Sequence, residues 1–201
     1  MAVPDWFADI LHRELAPWVS LSRDQVVQLY NHYSLLDRWN KKMNLTSVAP
    51  GEETVIRHYC ESLFFAAHLE NNASSIADIG SGAGFPGVPI AILKPDWKVS
   101  LVESNQRKAV FLREATRTLA NVSVVAQRGE ELASVFDSLV SRAVNPNEVV
   151  ALIPRRSPKI GLMLGEDDFL ELQSTKQIAW SEPIRLPWGD RRICVFGRSS
   201  T

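Results

Sequence analysis

One stretch, Ile76-Ala77-Asp78-Ile79-Gly80-Ser81-Gly82-Ala83-Gly84-Phe85-Pro86-Gly87, limits what this chain can fold into more than any other. It reads as a strand that enters a glycine-rich turn and leaves it as a helix starting at Pro86. Glycines at alternate positions let the backbone bend sharply and approach a ligand closely, because no Cβ intervenes. Asp78, two residues before Gly80, puts a carboxylate at the strand's carboxyl end. The pattern is that of a nucleotide-type ligand site in an α/β sheet, and its register decides which ligand. Gly82-Ala83-Gly84-Phe85-Pro86-Gly87 satisfies the dinucleotide pattern, whose first glycine must follow the strand directly so that a pyrophosphate lies on the helix N-terminus. Here Gly80 holds that place. Asp78-Ile79-Gly80-Ser81-Gly82-Ala83-Gly84 matches instead the acid-x-G-x-G-x-G pattern of S-adenosylmethionine sites. That ligand has no phosphate and carries a sulfonium, so an acid at Asp78 suits it.

The segments around the turn set the fold class. Before it, three helices are expected. One covers residues 6–15 and is closed by Pro17. A second is opened by the capping-box sequence Ser22-Arg23-Asp24-Gln25 and keeps an apolar face (Val26, Leu29, Tyr30, Tyr33, Leu36, Trp39) as far as about Met43. A third covers 52–69 and is ended by Asn71-Asn72. From Ser75 the pattern changes. Strands are expected at 76–79, 98–103, 122–126, 136–142 and 160–164. Helical pieces are expected at 86–93, 106–119, 130–133 and 146–153, with a short one after Glu166. Such alternation gives a mostly parallel, doubly wound sheet. Two last strand-like runs, 177–185 and 191–198, have no helix between them, only the turn Leu186-Pro187-Trp188-Gly189-Asp190, and read as an antiparallel hairpin. The expectation is an α/β Rossmann-like fold with an antiparallel C-terminal hairpin: a helical extension over residues 1–73 and a core over 74–201, in one compact unit. Glu103, at the end of the second strand, is placed to accept ribose hydroxyls, a role that dinucleotide and methyl-donor folds share.

Composition narrows the setting. The 201 residues are 45% hydrophobic and 22% charged, which allows a sizeable core. No apolar run approaches the roughly 20 residues of a membrane helix. Asp5, Asp9, Arg13 and Glu14 in the first 18 residues argue against a secretory signal, so a cytoplasmic protein is expected. Cys60 and Cys194 stand apart from one another and from any metal-ligand pattern, and read as free buried thiols. The formal net charge is -1. Locally, Arg107, Lys108, Arg113, Arg117 and Arg128 face only Glu114, and Arg185, Arg191, Arg192 and Arg198 face only Asp190. Two basic segments beside a ligand site hint at a phosphate-rich partner. His58, on an apolar helix face, reads as a core hydrogen-bonder.

Asn44-Leu45-Thr46-Ser47, Arg57-His58, the stretch from Asp78 to Gly87, Arg107-Lys108-Ala109-Val110-Phe111-Leu112 and Ser141-Arg142-Ala143 occur in that order. Together they resemble the RsmG (GidB) family of bacterial methyltransferases, over roughly residues 25–198. The resemblance implies a class I methyltransferase fold and S-adenosylmethionine as cofactor. It also implies methylation of guanine N7 in the decoding-region loop of 16S ribosomal RNA, on the RNA or the small subunit, with no membrane partner, no metal and a monomeric enzyme. Carried over, it implies donor contacts from Asp78, Gly80, Ser81, Gly82, Gly84, Phe85, Glu103, Ser104, Gly129, Glu130 and Arg142. Arg142 is also the candidate catalytic residue, at the target base. Arg57, Arg107, Lys108, Arg128, Arg191 and Arg192 are the implied RNA contacts.

Two departures stand out. Met163-Leu164-Gly165 replaces the Leu-Lys-Gly of relatives, and Glu61-Ser62 replaces Asp-Ser. The first favours an alternative, a weakened relative that binds donor or RNA without turnover. A nicotinamide-dependent dehydrogenase is favoured only by Gly82-x-Gly84-x-x-Gly87. Asn145-Pro146 reads as a helix start. Because N7 bears no proton in the reacting form, no general base is needed. The protein's task is to hold N7 about 3 Å from the methyl carbon and exclude water.

Overall fold

The computed structural model describes residues 2–70, 74–173, 177–189 and 191–200. Its centre is an eight-stranded sheet in the order β3-β2-β1-β4-β5-β8-β6, with β7 pairing β8. The strands are β1 Ser75–Ile79, β2 Lys98–Val102, β3 Val122–Val125, β4 Ser138–Arg142, β5 Lys159–Gly165, β6 Ile178–Trp180, β7 Ile184–Arg185 and β8 Arg192–Ser199. The first five run parallel; β8 lies antiparallel between β5 and β6. The chain winds outward from β1 to β3 and then returns to β4 on the other side of β1. Ligands in open α/β sheets bind at such a reversal, outside the carboxyl ends of the strands.

Three helical stretches precede the sheet. Helix α1 spans Asp5–Leu15 and α2 spans Arg23–Asn40. The capping box at the start of α2 is formed: Ser22 Oγ accepts the Gln25 N–H at 3.2 Å, and Gln25 Oε1 accepts the Ser22 N–H at 2.9 Å. The third stretch is not uniform. α3 (Glu52–Thr54) passes into a π-helical segment, Val55–Cys60, and then into α4, Glu61–His68. Apolar periodicity cannot distinguish this wider turn from an α-helix, and π segments concentrate at functional sites. The expected stop at Asn71-Asn72 lies outside the described residues.

Later helices are α5 Gly87–Leu93, α6 Gln106–Ala115, α7 Pro146–Val150, α8 Ile153–Arg156 and α9 Glu166–Leu172. Pro86 is the residue capping α5, after a cis peptide from Phe85, and not its first helical residue. Helix α6 ends at Ala115, short of the expected 119. Thr116 Oγ1 there donates to the Leu112 carbonyl at 2.8 Å and the next residues close in a turn. The segment expected as one helix over 146–153 is two, because Pro154 has no N–H to return to Val150. Pro183 likewise separates β6 from β7.

Both faces of the sheet are covered. On one, Phe7 of α1, Leu29 of α2 and Phe65 of α4 join Ile76, Leu101 and Val140 in a single apolar cluster. On the other, Val149, Ile153 and Phe169 of α7 to α9 pack on Ala77, Leu139 and Leu162. Cys60 and Cys194 are free and buried. Among the described residues no helix is long and apolar enough to cross a membrane.

Helix α4 approaches the sheet at Gly161 of β5. A Cβ there would lie 2.8 Å from Phe65 Cζ and 3.3 Å from Phe196, whose rings stack at 5.3 Å. We therefore expect Gly161→Ala to lower stability by about 1–3 kcal/mol through overpacking. Urea unfolding reads the change, and an unaltered midpoint would show that this layer yields freely.

Candidate active site

The glycine turn leaves β1 at Ile79. Gly80 takes φ 71°, which a side chain would strain, and an added Cβ would lie 2.3 Å from Val144 Cγ2. The turn's amides are nearly all engaged within the protein. Gly80 and Ser81 donate to the Val102 carbonyl at 2.9 and 3.0 Å, so the turn is tied to the end of β2. Gly82 donates to Glu103 Oε2 at 2.9 Å, and Gly84 and Phe85 donate to the Ser81 carbonyl at 2.7 and 3.1 Å. Gly87 donates to Asp78 Oδ2 at 3.0 Å. A pyrophosphate is cradled by free N–H groups, and these six are spent. The turn therefore disfavours the dinucleotide reading on chemical grounds beyond register.

Asp78 is wholly buried beneath the turn. Its Oδ2 holds Gly87, its Oδ1 has no partner among the described residues, and burial lifts the carboxyl to about 7. Glu103, also buried, divides its oxygens between the Gly82 N–H and the Asn105 N–H, the latter at 2.7 Å. It thus joins the turn to the start of α6. Neither acid is among the residues that line the open cleft.

That cleft lies over the carboxyl ends of β1, β2 and β4. It is lined by Ile79, Gly80, Val102, Ser104, Gln127, Arg128, Gly129, Glu130, Val144, Glu148 and Leu152. Four of the expected donor contacts, Gly80, Ser104, Gly129 and Glu130, meet there. Gly129 opens a single 3-10 turn, Gly129–Glu131. A Cβ on it would lie 3.0 Å from Leu152 and 3.3 Å from Ile79. Two glycines thus border a slot with apolar walls of Ile79, Val102, Val144 and Leu152, which fits a flat heterocycle. Ser81, Gly82, Gly84 and Phe85 lie outside this lining.

Phe85 has a different setting from a ligand contact. It is buried and stacks on the His58 ring (centroids 4.8 Å apart, planes at 24°), with the edges of Tyr59 and His32 against it. His58 Nε2 bonds Thr46 Oγ1 at 2.7 Å, and the Asn40 side chain bonds both the N–H and the carbonyl of Thr46, at 2.9 and 3.0 Å. Asn44-Leu45-Thr46 and Arg57-His58 therefore meet, and they clamp the turn from the helical side. Burial, reinforced by the Arg142 and Arg57 charges, holds the His58 imidazole at about 3, so it is neutral. His32 bonds the Tyr59 hydroxyl at 2.7 Å and is held neutral by burial, at about 4.

Ser141-Arg142-Ala143 finishes β4 beside the turn. Ser141 Oγ donates to the Ile79 carbonyl at 2.8 Å, and Ala143 takes the rare φ of 59°, after which Val144 lies over Gly80. Arg142 is largely enclosed. Its Nη1 donates to the Arg57 carbonyl at 2.7 Å, and its Nη2 lies 3.1 Å from Glu61 Oε2. Glu61, fully buried, also holds Arg192, with Nη1 2.6 Å from Oε1. Burial raises the Glu61 carboxyl and the two guanidiniums oppose it; at these distances it is their counter-charge. The sequence marked Glu61 only as a departure from relatives, since its partners arrive from β4 and β8, far along the chain.

The other expected RNA contacts are dispersed. Arg57 pairs with Glu53 at 3.0 Å. Arg191, at φ 58°, turns to Asp167 at 2.5 Å and Glu166 at 3.7 Å, toward α9 and away from the cleft lining. Arg128 is on the cleft rim, with Glu130 3.7 Å away. Arg107 and Lys108 occupy the first turn of α6, exposed and half-buried. Leu164, where the resemblance implies a lysine, faces Ile193 of β8 in register and packs on the second apolar cluster. Asn145 caps α7, accepting the Asn147 N–H at 3.0 Å, so Asn145-Pro146 is a helix start.

Two outcomes follow from the buried acids. Glu61→Gln leaves two enclosed guanidiniums without a counter-charge and should lower stability by about 3–5 kcal/mol in urea unfolding; a loss below about 1 kcal/mol would remove the pairing as a stabilising feature. The folded pKa of Asp78 is above its unfolded value. Its stabilising contribution is complete below about pH 4 and is lost as pH rises through about 7. Relative to Asp78→Asn, wild-type stability should thus fall by up to about 1.4 kcal/mol per pH unit across that window. Parallel pH profiles for the two proteins would contradict the assignment.

Comparison with known proteins converges on one group. Residues 25–179 match the family model described as "GidB: rRNA small subunit methyltransferase G". The chain is 44% identical over 197 residues to ribosomal RNA small subunit methyltransferase G of Dichelobacter nodosus, spanning 94% of this chain and 93% of that protein. It is 43% identical over 125 residues to the protein of the same name from Nitrosomonas europaea, spanning 60% of this chain and 58% of that protein. Among solved structures, a ribosomal protein L11 methylase from Lactobacillus delbrueckii superimposes with TM-score 0.59 at 11% identity, covering 72% of this chain and 80% of that one. The precorrin-6y C5,15-methyltransferase of Geobacter metallireducens gives 0.52 at 15% identity, with 71% and 87% covered. At such identities the structures show the fold alone, a Rossmann-like methyltransferase fold. The chain belongs to the rRNA small subunit methyltransferase G family, whose methyl donor is S-adenosylmethionine.

Proposed function

We propose that this chain transfers a methyl group from S-adenosylmethionine to N7 of a guanine in 16S ribosomal RNA, free or in the small subunit, acting as a cytoplasmic monomer. The observation that carries the reading is the spent set of amides in the glycine turn, at the switch point of a fold shared with methyltransferases. A turn with its N–H groups engaged and an acid beneath it suits a cationic, phosphate-free ligand. The apolar slot of Ile79, Val102, Val144 and Leu152 takes the adenine, with Gly129 and Glu130 at its edge and Ser104 on the ribose side. When bound, the donor supplies an electrophilic methyl group on a sulfonium.

The remaining chemistry falls to the protein's own residues. Guanine N7 is unprotonated in its reacting form, so the neutral His58 and the buried Asp78 have no proton to remove. Arg142 commits one hydrogen bond to Arg57 and one ion pair to Glu61. A guanidinium has five N–H donors, so Arg142 retains donors for guanine O6 or a phosphate. Direct contact with N7 would oppose the charge that methylation creates there. Leu164 in place of lysine does not empty a charged position of the cleft, since it packs into the apolar cluster behind β5.

Labelled methyl transfer to small-subunit RNA, followed by nucleoside analysis for 7-methylguanosine, tests the reaction. Donor binding without transfer would support the binding-only alternative. Arg142→Ala leaves Glu61 paired with Arg192, so the fold should survive. We expect the single-turnover rate to fall at least tenfold, and an unchanged rate would remove Arg142 from the site.

A further inference from the structure

Resting on that reading, we infer that the groove between the end of α2 and the outer face of α6 is a docking site for single-stranded RNA flanking the target nucleotide. Arg38, Trp39, Lys42 and Met43 form one side; Arg107, Val110 and Glu114 form the other. The groove holds about 590 Å³, within the range of ligand clefts. Its floor is apolar. Trp39 is half-buried, with its ring edge against Phe111 and its Nε1 donating to Glu114 Oε2 at 3.2 Å, so the indole is fixed in place. Val110 is 50% exposed on an otherwise polar helix face, and Met43 is half-buried beside it.

The rim is cationic. Glu114 is the acid among the groove residues, and it is taken by Trp39 and by Arg38 at 3.8 Å. Among the described residues, neither Lys42 nor Arg107 has an ion-pair partner. That separates them from Arg57, Arg142, Arg191 and Arg192, whose charges are committed to Glu53, Glu61, Asp167 and Glu61. Phosphates neutralise unpaired cations at lower cost than cations already bonded to a carboxylate. A fixed aromatic floor under an open basic rim is the arrangement that single strands use: backbone along the charges, bases on the rings. A duplex hides those base faces.

The groove also lies where such a strand must pass. Arg107 is in the first turn of α6, three residues after Ser104 of the donor cleft. On the other side, Met43 leads directly into Asn44-Leu45-Thr46, whose threonine holds His58 against Phe85 of the glycine turn. A strand in the groove therefore ends beside the carboxyl edge of the sheet.

The test is fluorescence anisotropy with a fluorescein-labelled single-stranded RNA of roughly 12 nucleotides and with its duplex, over a salt series. We expect Lys42→Glu and Arg107→Glu each to weaken single-strand binding about tenfold and to reduce the log–log salt slope by about 0.7 per lost phosphate contact. Trp39→Phe keeps the packing on Phe111 and should weaken binding about fivefold. Calorimetric affinity for S-adenosylmethionine should be unaltered in all three, which certifies the fold and the donor cleft. Unchanged RNA affinity and slope in the charge variants would overturn the proposal, as would equal binding of single strand and duplex with Trp39→Phe silent. Wild-type methyl transfer to small-subunit RNA, run in parallel, separates the two readings. Transfer with RNA-indifferent groove variants sinks the groove alone, whereas absent transfer with RNA-deficient variants sinks the reaction alone.

Discussion

The site depends on how the backbone amides of the glycine turn are satisfied. A buried N–H without an acceptor is costly, and a turn between a strand and a helix leaves several exposed to that cost. Here the acceptors are the Val102 carbonyl, the Ser81 carbonyl and two carboxylates, Asp78 and Glu103. The turn is thereby fastened to β2 above, to the start of α6 through Asn105, and to its own strand below. Its conformation is set by the protein before any ligand arrives. Because the donors are used internally, an anion finds nothing to replace its water. The same bonds that stabilise the turn therefore select the charge of what binds over it.

Enclosure of the turn is the work of the N-terminal helices. His58, Tyr59 and His32 surround Phe85, and Thr46 with Asn40 fixes His58. Burial of two imidazoles in this layer is tolerable because each has one strong partner and stays neutral. Protonating either would put a charge into a region that already encloses Arg142. The π-helical turn at Val55–Cys60 is what carries Arg57, His58 and Tyr59 into that layer, while Glu61 begins the α-helix that follows. A single helical stretch thus supplies both the clamp on the turn and the counter-charge for Arg142.

Much of this could be read from residues alone, and the reasons for the rest are physical. Strand-helix alternation, the acid-glycine register and the Ser22 capping box are local signals, and each forms as the sequence indicates. What escaped was long-range or geometric. Apolar spacing is blind to a π segment. Thr116 and Pro154 end helices through a side-chain bond and a missing donor that periodicity does not weigh. Arginines presented the greatest difficulty, because charge runs say nothing about pairing. Arg191 and Arg192 are neighbours in sequence, yet one turns to Asp167 at the surface and the other to the buried Glu61. The expectation that Glu103 would be free for a ribose likewise could not foresee that Gly82 and Asn105 would claim its oxygens first.

The balance of charge around Arg142 bears on the proposed chemistry. A guanine methylated at N7 becomes cationic, so a wall that accumulates positive charge would oppose the product as it forms. Arg142 and Arg192 converge on Glu61, which leaves that cluster one charge in surplus where an unpaired arrangement would carry two. His58, the next titratable group toward the turn, adds none, because burial and the adjacent guanidiniums keep it neutral. One surplus charge is enough to hold O6 or a phosphate. A second would act against the transferred methyl group, since interactions in an enclosed site are screened far less than in water. Glu61 is therefore as much a part of the proposed site as the arginine it holds, although it touches neither base nor donor.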